Sequence, residues 1–177
     1  MKLKLLAGLM VLGFVTLASS PVFATSASGT VAVTATVGSS VSLTFVSDPA
    51  GITLGGTGTS AATIAFGSVQ AYGGAVPANV TKTVNGVINW TLSTPFDVVV
   101  EVANQTSSNY TLTAQLNAAD ATNTWKIGAS TITSASAATL TGTGAYGTTA
   151  YTLGLTIPFS EAAGAIANTI NFVATAN

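Results

Sequence analysis

The sequence predicts an all-β fold, an immunoglobulin-like β-sandwich of about seven to nine antiparallel strands behind a cleaved signal peptide. Two observations predict the sandwich. Apolar and polar residues alternate with a period of two along most of the chain, and glycine, asparagine and proline separate the alternating stretches. A third observation, a short apolar run behind two lysines at the start of the chain, predicts the signal peptide.

The signal peptide is predicted over residues 1–24. Lys2 and Lys4 precede an apolar run over residues 5–17, and the small residue Ala24 ends the segment. Because a membrane-spanning helix needs about 20 apolar residues, this run is too short for a retained membrane anchor, which is the alternative. We expect cleavage after Ala24 and a secreted or cell-surface location, and about 150 residues remain, the size of one domain.

Two alternating stretches open the predicted domain. Residues 25–40 are predicted as an N-terminal arm, a candidate donor strand, and residues 41–177 as the sandwich, whose first strand covers residues 41–46. As a single strand, residues 29–46 would span about 60 Å, roughly three times the usual length. The glycine and serines of residues 38–40 are therefore expected to separate the arm from the first strand.

The rest of the sandwich is predicted as a series of short strands and turns. In chain order, we expect a turn at residues 48–51, a loop at 54–60, a short strand at 62–69, a loop at 71–78, a hairpin turned at Asn85-Gly86, a break at Thr94-Pro95 and a half-buried strand at 96–103. These are followed by a polar turn at 104–109, a strand at 110–116, a hairpin of 125–127 with 130–133, a strand at 151–159 and a last strand at 169–175. Residues 160–167 are the only stretch with the composition of a helical turn, which Gly164 disfavours.

The chain behind the signal peptide carries very little charge. Its charged residues are two lysines and five acids, namely Lys82, Lys126, Asp48, Asp97, Glu101, Asp120 and Glu161. The formal net charge falls from −1 to about −3. An ordinary domain carries about a quarter charged residues, so threonine, serine and asparagine must cover most of this surface. Such a surface suits packing against copies of the same chain, and it is also compatible with a monomer.

The absence of cysteine, histidine and arginine excludes several classes of function. Disulfides cannot stabilise the fold, and neither a Ser-His-Asp nor a Cys-His site can be assembled. Lys82 and Lys126 cannot neutralise a nucleic acid that carries one charge every ~1.7 Å, and their polar surroundings do not suit a serine-lysine enzyme. We therefore expect no enzyme activity, no nucleic-acid partner and no cofactor.

Two patterns that resemble ligand sites are better explained by turns and strands. Residues 142–147 have the glycine spacing of a dinucleotide loop, but strand-like residues follow them instead of a helix, so we predict turns here. Asp97 and Glu101 share one strand face about 13 Å apart, beyond the ~5–9.5 Å of a glycosidase pair. The other acids lie singly in predicted loops without the spacing of metal ligands, so we predict no metal site.

Four aromatic residues could form a stacking platform for a carbohydrate, namely Trp90, Trp125, Tyr146 and Tyr151. The alternative function is therefore a secreted carbohydrate- or surface-binding (adhesion) module. Because aromatic residues more often fill cores, this function requires an exposed coplanar pair of rings.

The arm has two alternative positions. Val31, Val33, Ala35 and Val37 occupy alternate positions in residues 30–37. These side chains can pack within the arm's own sandwich, or the arm can add a strand to the edge of another subunit and fill a groove there.

Three stretches resemble a known group of proteins. They are the strand pair over residues 30–45, the segment Ile64-Ala65-Phe66-Gly67, and the ending from Ile157-Pro158-Phe159 through Gly164 to Asn168-Thr169-Ile170-Asn171-Phe172. In pattern, the chain resembles secreted bacterial pilin-like and spore-coat-protein-U-like β-sandwich subunits, although it lacks the paired cysteines of many of them. The resemblance implies a structural subunit of a filament, fimbria or coat that polymerises by donated strands. The expected partners are other copies of the chain, with host or surface glycans as further candidates.

Overall fold

The computed structural model describes residues 30–104 and 106–177. These residues form nine strands in two antiparallel sheets, which confirms the predicted all-β sandwich, while the immunoglobulin-like topology stays a prediction. The predicted signal peptide, residues 1–24, lies outside the described residues, as do residues 25–29 of the arm. Within the described ranges, no helix has the length and apolar character needed to cross a membrane.

The chain divides into two compact units, Met1–Ala35 and Thr36–Asn177. In the first unit, residues 30–35 are described, and they are exposed and lie in no strand. The second unit contains the strands, which are β1 (Ser40–Val46), β2 (Thr81–Asn85), β3 (Asn89–Ala103), β4 (Tyr110–Leu116), β5 (Thr124–Ile127), β6 (Ser130–Ile132), β7 (Ala138–Gly144), β8 (Gly147–Pro158) and β9 (Ile170–Ala176).

The larger sheet has six strands, and β3 is its longest. The order is β1-β3-β8-β5-β6, and β2 also pairs with β3. β2 pairs with the first part of β3 and β1 with the last part, both on the side of β3 that faces away from β8. The hairpin of β2 and β3 turns at Asn85-Gly86 as predicted, since the N–H of Ile88 donates to the carbonyl of Asn85 at 3.3 Å.

The smaller sheet has three strands in the order β7-β4-β9. The side chains that point from β4 into the core are at most 4% exposed, and they are Tyr110, Leu112, Ala114 and Leu116. Phe172 of β9 packs against Phe45 of β1, with 5.1 Å between the ring centroids. The two sheets therefore meet along the β1 and β9 side through these aromatic rings.

The core lies between the sheets and follows the predicted alternation. The buried apolar side chains of β3 and β8 are Trp90, Leu92, Phe96, Val98, Val100, Leu153, Leu155 and Ile157. Burial of each such side chain contributes about 1.5–3 kcal/mol. The chain contains no cysteine, so this burial and the backbone ladders must hold the sandwich together.

The predicted break at Thr94-Pro95 is wrong, because β3 runs through both residues. The strand tolerates this proline, which has no N–H to donate, because β3 has no described partner strand here on the side that faces away from β8. β2 pairs with β3 as far as Ser93, and β1 pairs with it from Asp97 onward. Gly51 fills the gap so closely that a Cβ on it would lie 2.0 Å from the Pro95 carbonyl oxygen.

Thr94 fixes the loops around this gap. Its buried hydroxyl accepts a hydrogen bond from the N–H of Ile52 at 3.0 Å and donates one to the carbonyl of Asn79 at 3.0 Å. The Asn79 side chain in turn donates to the carbonyl of Gly51 at 2.9 Å. The loop after β1 and the loop before β2 are thereby both tied to the middle of β3.

The short strand predicted at residues 62–69 is also wrong. This segment forms a single bridge between Thr63 and Gly55 and is otherwise outside the strands. Gly67 has a φ of 68°, a left-handed conformation that interrupts an extended strand.

The turn predicted at residues 142–147 is shorter in the structure, and strands occupy most of this stretch. β7 continues to Gly144, and β8 begins at Gly147, so only two residues separate the strands. Gly144 packs under the ring of Tyr110, where a Cβ would lie 2.6 Å from its Cζ. Residues 160–167 form no helical turn.

Candidate functional site

A groove of about 1500 Å³ lies between the sheets and extends from Leu43 and Phe45 of β1 to the end of the molecule where β3 begins. The large side chains of its floor come from the inner face of the larger sheet, and they are Trp90, Leu92, Phe96, Trp125, Leu155 and Ile157. Each of them points inward because a strand alternates its side chains between two faces. The alternation that builds the core therefore also gives the groove an apolar floor.

Two segments that lie mostly outside the strands form the walls of the groove, residues 60–71 and residues 161–169. From these walls, Ile64, Phe66 and Ile166 pack against the core and are half-buried. The smaller sheet has three strands and the larger one six, so the smaller sheet cannot cover the whole inner face. The two segments cover part of the remainder, and the groove lies between them.

β9 presents an open edge to the groove. Ile170, Asn171 and Phe172 line the groove, and β9 pairs with β4 on one side and with no described strand on the other. Such an edge carries unpaired N–H and C=O groups that can bind another strand. The outer edge of β1 is different, because its Phe45 N–H already donates to the carbonyl of Thr59 at 2.9 Å.

The groove carries almost no charge. Glu161 is the only charged residue among the described lining residues. Lys82 of β2 lies beside the first wall, where its ammonium donates to the carbonyls of Gln70 at 3.0 Å and Gly73 at 2.7 Å. These two bonds hold the wall against β2. The groove thus suits an uncharged, apolar occupant better than an ion.

The predicted donor residues of the arm are exposed. The exposed fraction is 89% for Val31, 86% for Val33 and 71% for Val37, and Ala35 is exposed as well. Residues 30–39 lie in no strand. A row of valines in water is unfavourable, so this arm has an apolar face that a partner can cover.

The four aromatic residues of the predicted stacking platform do not form an exposed pair. Trp90 and Trp125 are each 7% exposed and lie on the groove floor. Tyr146 donates its hydroxyl to a backbone carbonyl at 3.1 Å, and the ring of Tyr151 packs against a core phenylalanine at 6.3 Å. The structure offers no support for the carbohydrate platform, which stays a prediction.

Asp120 organises the loop before β5. Its carboxylate accepts hydrogen bonds from the backbone N–H groups of Thr122 at 3.1 Å and Asn123 at 2.9 Å, and from the indole N–H of Trp125 at 2.8 Å. Burial raises the pKa of Asp120, but the hydrogen bonds from Asn123, Trp125 and Thr122 outweigh it and hold the pKa below its ordinary value. All these partners are donors, so the loop stabilises the carboxylate itself.

Asp97 and Glu101 lie on the outer face of β3, as predicted. Burial, and then the nearby carboxylate of Asp48, raise the pKa of Asp97 above its ordinary value. Among the described residues, no group of three or more acids, histidines or cysteines is placed to hold a metal ion.

The groove and the open edge of β9 are not predicted by the sequence. Ile64 and Phe66 alternate as in a strand, yet they lie in a wall of the groove. The one local signal against a strand is Gly67, which allows the chain to leave the extended conformation. Comparison of the chain with family models, with curated proteins and with solved structures finds no match.

Proposed function

We propose that the protein is a secreted structural subunit of an extracellular filament, fimbria or surface coat, in which the arm of one copy adds a strand to the next copy. The observation that carries the proposal is the open edge of β9 beside an apolar groove, in a chain whose arm exposes a row of apolar side chains. The secreted location rests on the signal peptide predicted at residues 1–24.

The arm matches the edge of β9 in length and in chemistry. As a strand, residues 30–37 would span about 23 Å from first to last residue, and the seven residues of β9 span about 20 Å. Because a strand alternates its side chains, Val31, Val33, Ala35 and Val37 would all face the groove. Residues 30–37 carry no charge, which agrees with a groove that has a single charged lining residue.

The chain enters β1 at the end of β3 that lies farthest from the Trp90 part of the groove, although Leu43 and Phe45 of β1 line the groove as well. Ser40 pairs with Ala103 at the end of β3, whereas Trp90 of the groove floor lies at the beginning of that strand. The 15 residues of β3 span about 46 Å. An extended chain from Ser40 back to Thr30 spans about 33 Å, so an arm that folded back along its own molecule would leave the Trp90 end of the groove open.

Donation from one end of a copy to the opposite end of the next is a heterologous contact, which repeats in one direction and gives an open filament when the rotation between copies does not close a ring. Association costs about 4–15 kcal/mol in lost freedom of motion, and each fully buried valine contributes about 1.5–3 kcal/mol. Three valines and a row of backbone hydrogen bonds, each worth about 0.5–1.5 kcal/mol, can therefore match a cost in this range. The low surface charge also lets copies pack side by side without strong repulsion.

Val33→Asp tests the proposal. We expect the wild-type protein to form filaments that are visible by electron microscopy. Val33→Asp should abolish them, because it would bury an unpaired carboxylate in the groove. Thr34→Asp is the matched control, since it adds the same charge one residue later, on the side of the arm that would face away from the groove, and we expect it to assemble.

Sedimentation velocity gives an independent measurement, since it separates monomers from polymers at the same protein concentration. A wild-type protein that stays monomeric at high concentration would contradict the proposal. Equal assembly of Val33→Asp and Thr34→Asp would contradict strand donation by this face of the arm.

A further inference from the structure

Exposed apolar side chains cluster at the end of the molecule where the groove lies. The exposed fraction is 63% for Tyr72, 85% for Val87 and 71% for Ile88. Tyr72 stacks on Phe159 with 5.2 Å between the ring centroids, and the N–H of Phe159 donates to the carbonyl of Ile88 at 3.0 Å. We call Tyr72, Val87 and Ile88 the apolar tip.

The apolar tip is continuous with the groove. Phe159 joins the two, because it lines the groove and carries Tyr72 on its ring. Lys82 holds the same loop on both sides of Tyr72, through the carbonyls of Gln70 and Gly73. The tip is therefore held in place by specific contacts and forms the outer end of the groove.

We propose that the apolar tip binds Val37 of a neighbouring copy, at the point where the donated arm meets the body of its own molecule. The inference rests on the proposed function, because it requires an arm in the groove. β9 runs from Ile170, which lines the groove, to Ala176, which pairs with Tyr110 at the opposite end, so an arm that enters past Phe159 and pairs antiparallel with β9 would place Val31 deepest and Val37 nearest the apolar tip. Val37 is 71% exposed, so it is free to make this contact.

The contact must join two copies. Val37 lies three residues before Ser40, and Ser40 pairs with Ala103 at the end of β3. Ile88 directly precedes Asn89, the first residue of β3. The length of β3, about 46 Å, therefore separates the tip of a molecule from the start of its own β1, which three extended residues of about 10 Å cannot bridge.

A lipid surface fits the apolar tip less well than a second copy does. Loops and helices that bind membranes combine apolar side chains with basic residues, which are attracted to anionic lipids. Lys82 is the basic residue beside the tip, and its ammonium already binds two backbone carbonyls. The segment Val37-Gly38-Ser39 is uncharged and requires no such attraction.

A double-mutant cycle tests the inference. The acceptor is the full chain carrying Val33→Asp, which cannot donate its own arm, with or without Ile88→Ser. The ligand is a synthetic peptide of residues 30–39, with or without Val37→Ser, and the affinity is measured by calorimetry. We expect each single change to weaken binding about tenfold and the pair to weaken it hardly further, because both changes remove the same contact.

Ala150→Ser in the acceptor is the control. Ala150 is exposed on the outer face of β8 and does not line the groove, so this change should leave the affinity for the peptide unaltered. If the peptide binds but the two changes act independently, so that together they weaken the affinity about a hundredfold, the contact between Val37 and Ile88 is overturned and strand donation still stands. Failure of the peptide to bind any acceptor would overturn both. Binding to anionic phospholipid vesicles that is lost in Ile88→Ser would assign the tip to a lipid surface and overturn the contact as well.

Discussion

A single carboxylate, that of Asp120, supports part of the groove floor. It accepts a hydrogen bond from the indole N–H of Trp125 and thereby fixes this ring, which is 7% exposed and lines the groove. The same carboxylate satisfies the backbone N–H groups of Thr122 and Asn123. A buried donor without a partner costs about 1–3 kcal/mol, so the hydrogen bond to the buried indole contributes more to the stability of the fold than the other two.

Asp120→Ala should lower the free energy of unfolding by about 1–3 kcal/mol at pH 7, because the Trp125 indole loses its acceptor. Denaturant titration followed by tryptophan fluorescence measures this change. Glu101→Ala removes an exposed acid from the outer face of β3 and serves as the control, with a change within about 0.5 kcal/mol.

The same measurement repeated at low pH checks the role of the charge. Because the folded-state pKa of Asp120 is lowered, its charge stabilises the protein fully above the unfolded-state pKa of about 3.9. This contribution is lost as the pH falls through the folded-state pKa. The difference between the wild type and Asp120→Ala should therefore shrink below about pH 4, and a constant difference would argue against a charged acceptor.

At the scale of elements, β3 shows what an alternating pattern can predict. Phe96, Val98 and Val100 point inward as their spacing indicates, since alternation is a local property of the chain. The passage of β3 through Pro95 is not predictable locally, because it depends on the gap between β1 and β2 and on Gly51, which is distant in sequence.

Gly51→Ala should destabilise the protein by about 1–3 kcal/mol, because the new Cβ would lie 2.0 Å from the Pro95 carbonyl oxygen and force the loop or β3 to move. The change is measured by thermal or denaturant unfolding. Gly142→Ala is the matched control, since a Cβ there has no atom within 4 Å. Equal stability of the two variants would show that the loop relaxes without cost.

The same distinction between local and distant information applies to the candidate site. The apolar row of the arm is predictable, because it lies within one short stretch of sequence. The groove is not, because it arises from the unequal strand numbers of the two sheets and from residues 60–71 and 161–169, which come together from separate parts of the chain.

At the scale of the whole molecule, resistance to trypsin should report on folding. Behind the predicted signal peptide, Lys82 and Lys126 are the only residues after which trypsin can cut, and they lie in β2 and β5. Because a protease needs an unpaired backbone, we expect slow cleavage of the folded protein and faster cleavage as urea unfolds it.

Gel electrophoresis of timed digests measures the cleavage rate. Chymotrypsin is the control enzyme, since Tyr72 is 63% exposed in a loop and should be cut while the protein is still folded. Rapid tryptic cleavage after Lys126 without urea would show that β5 opens locally.

The antiparallel ladder between β1 and β3 decides how an assembled fibre would respond to stretching. Tension on an arm held by a neighbour would reach the body at Ser40, along the axis of β1, and the ladder from Ser40 to Val46 would share that load. Bonds that are sheared together resist more force than bonds that open one after another. The ladder of β1 would therefore have to yield as a unit before tension could unfold the sandwich.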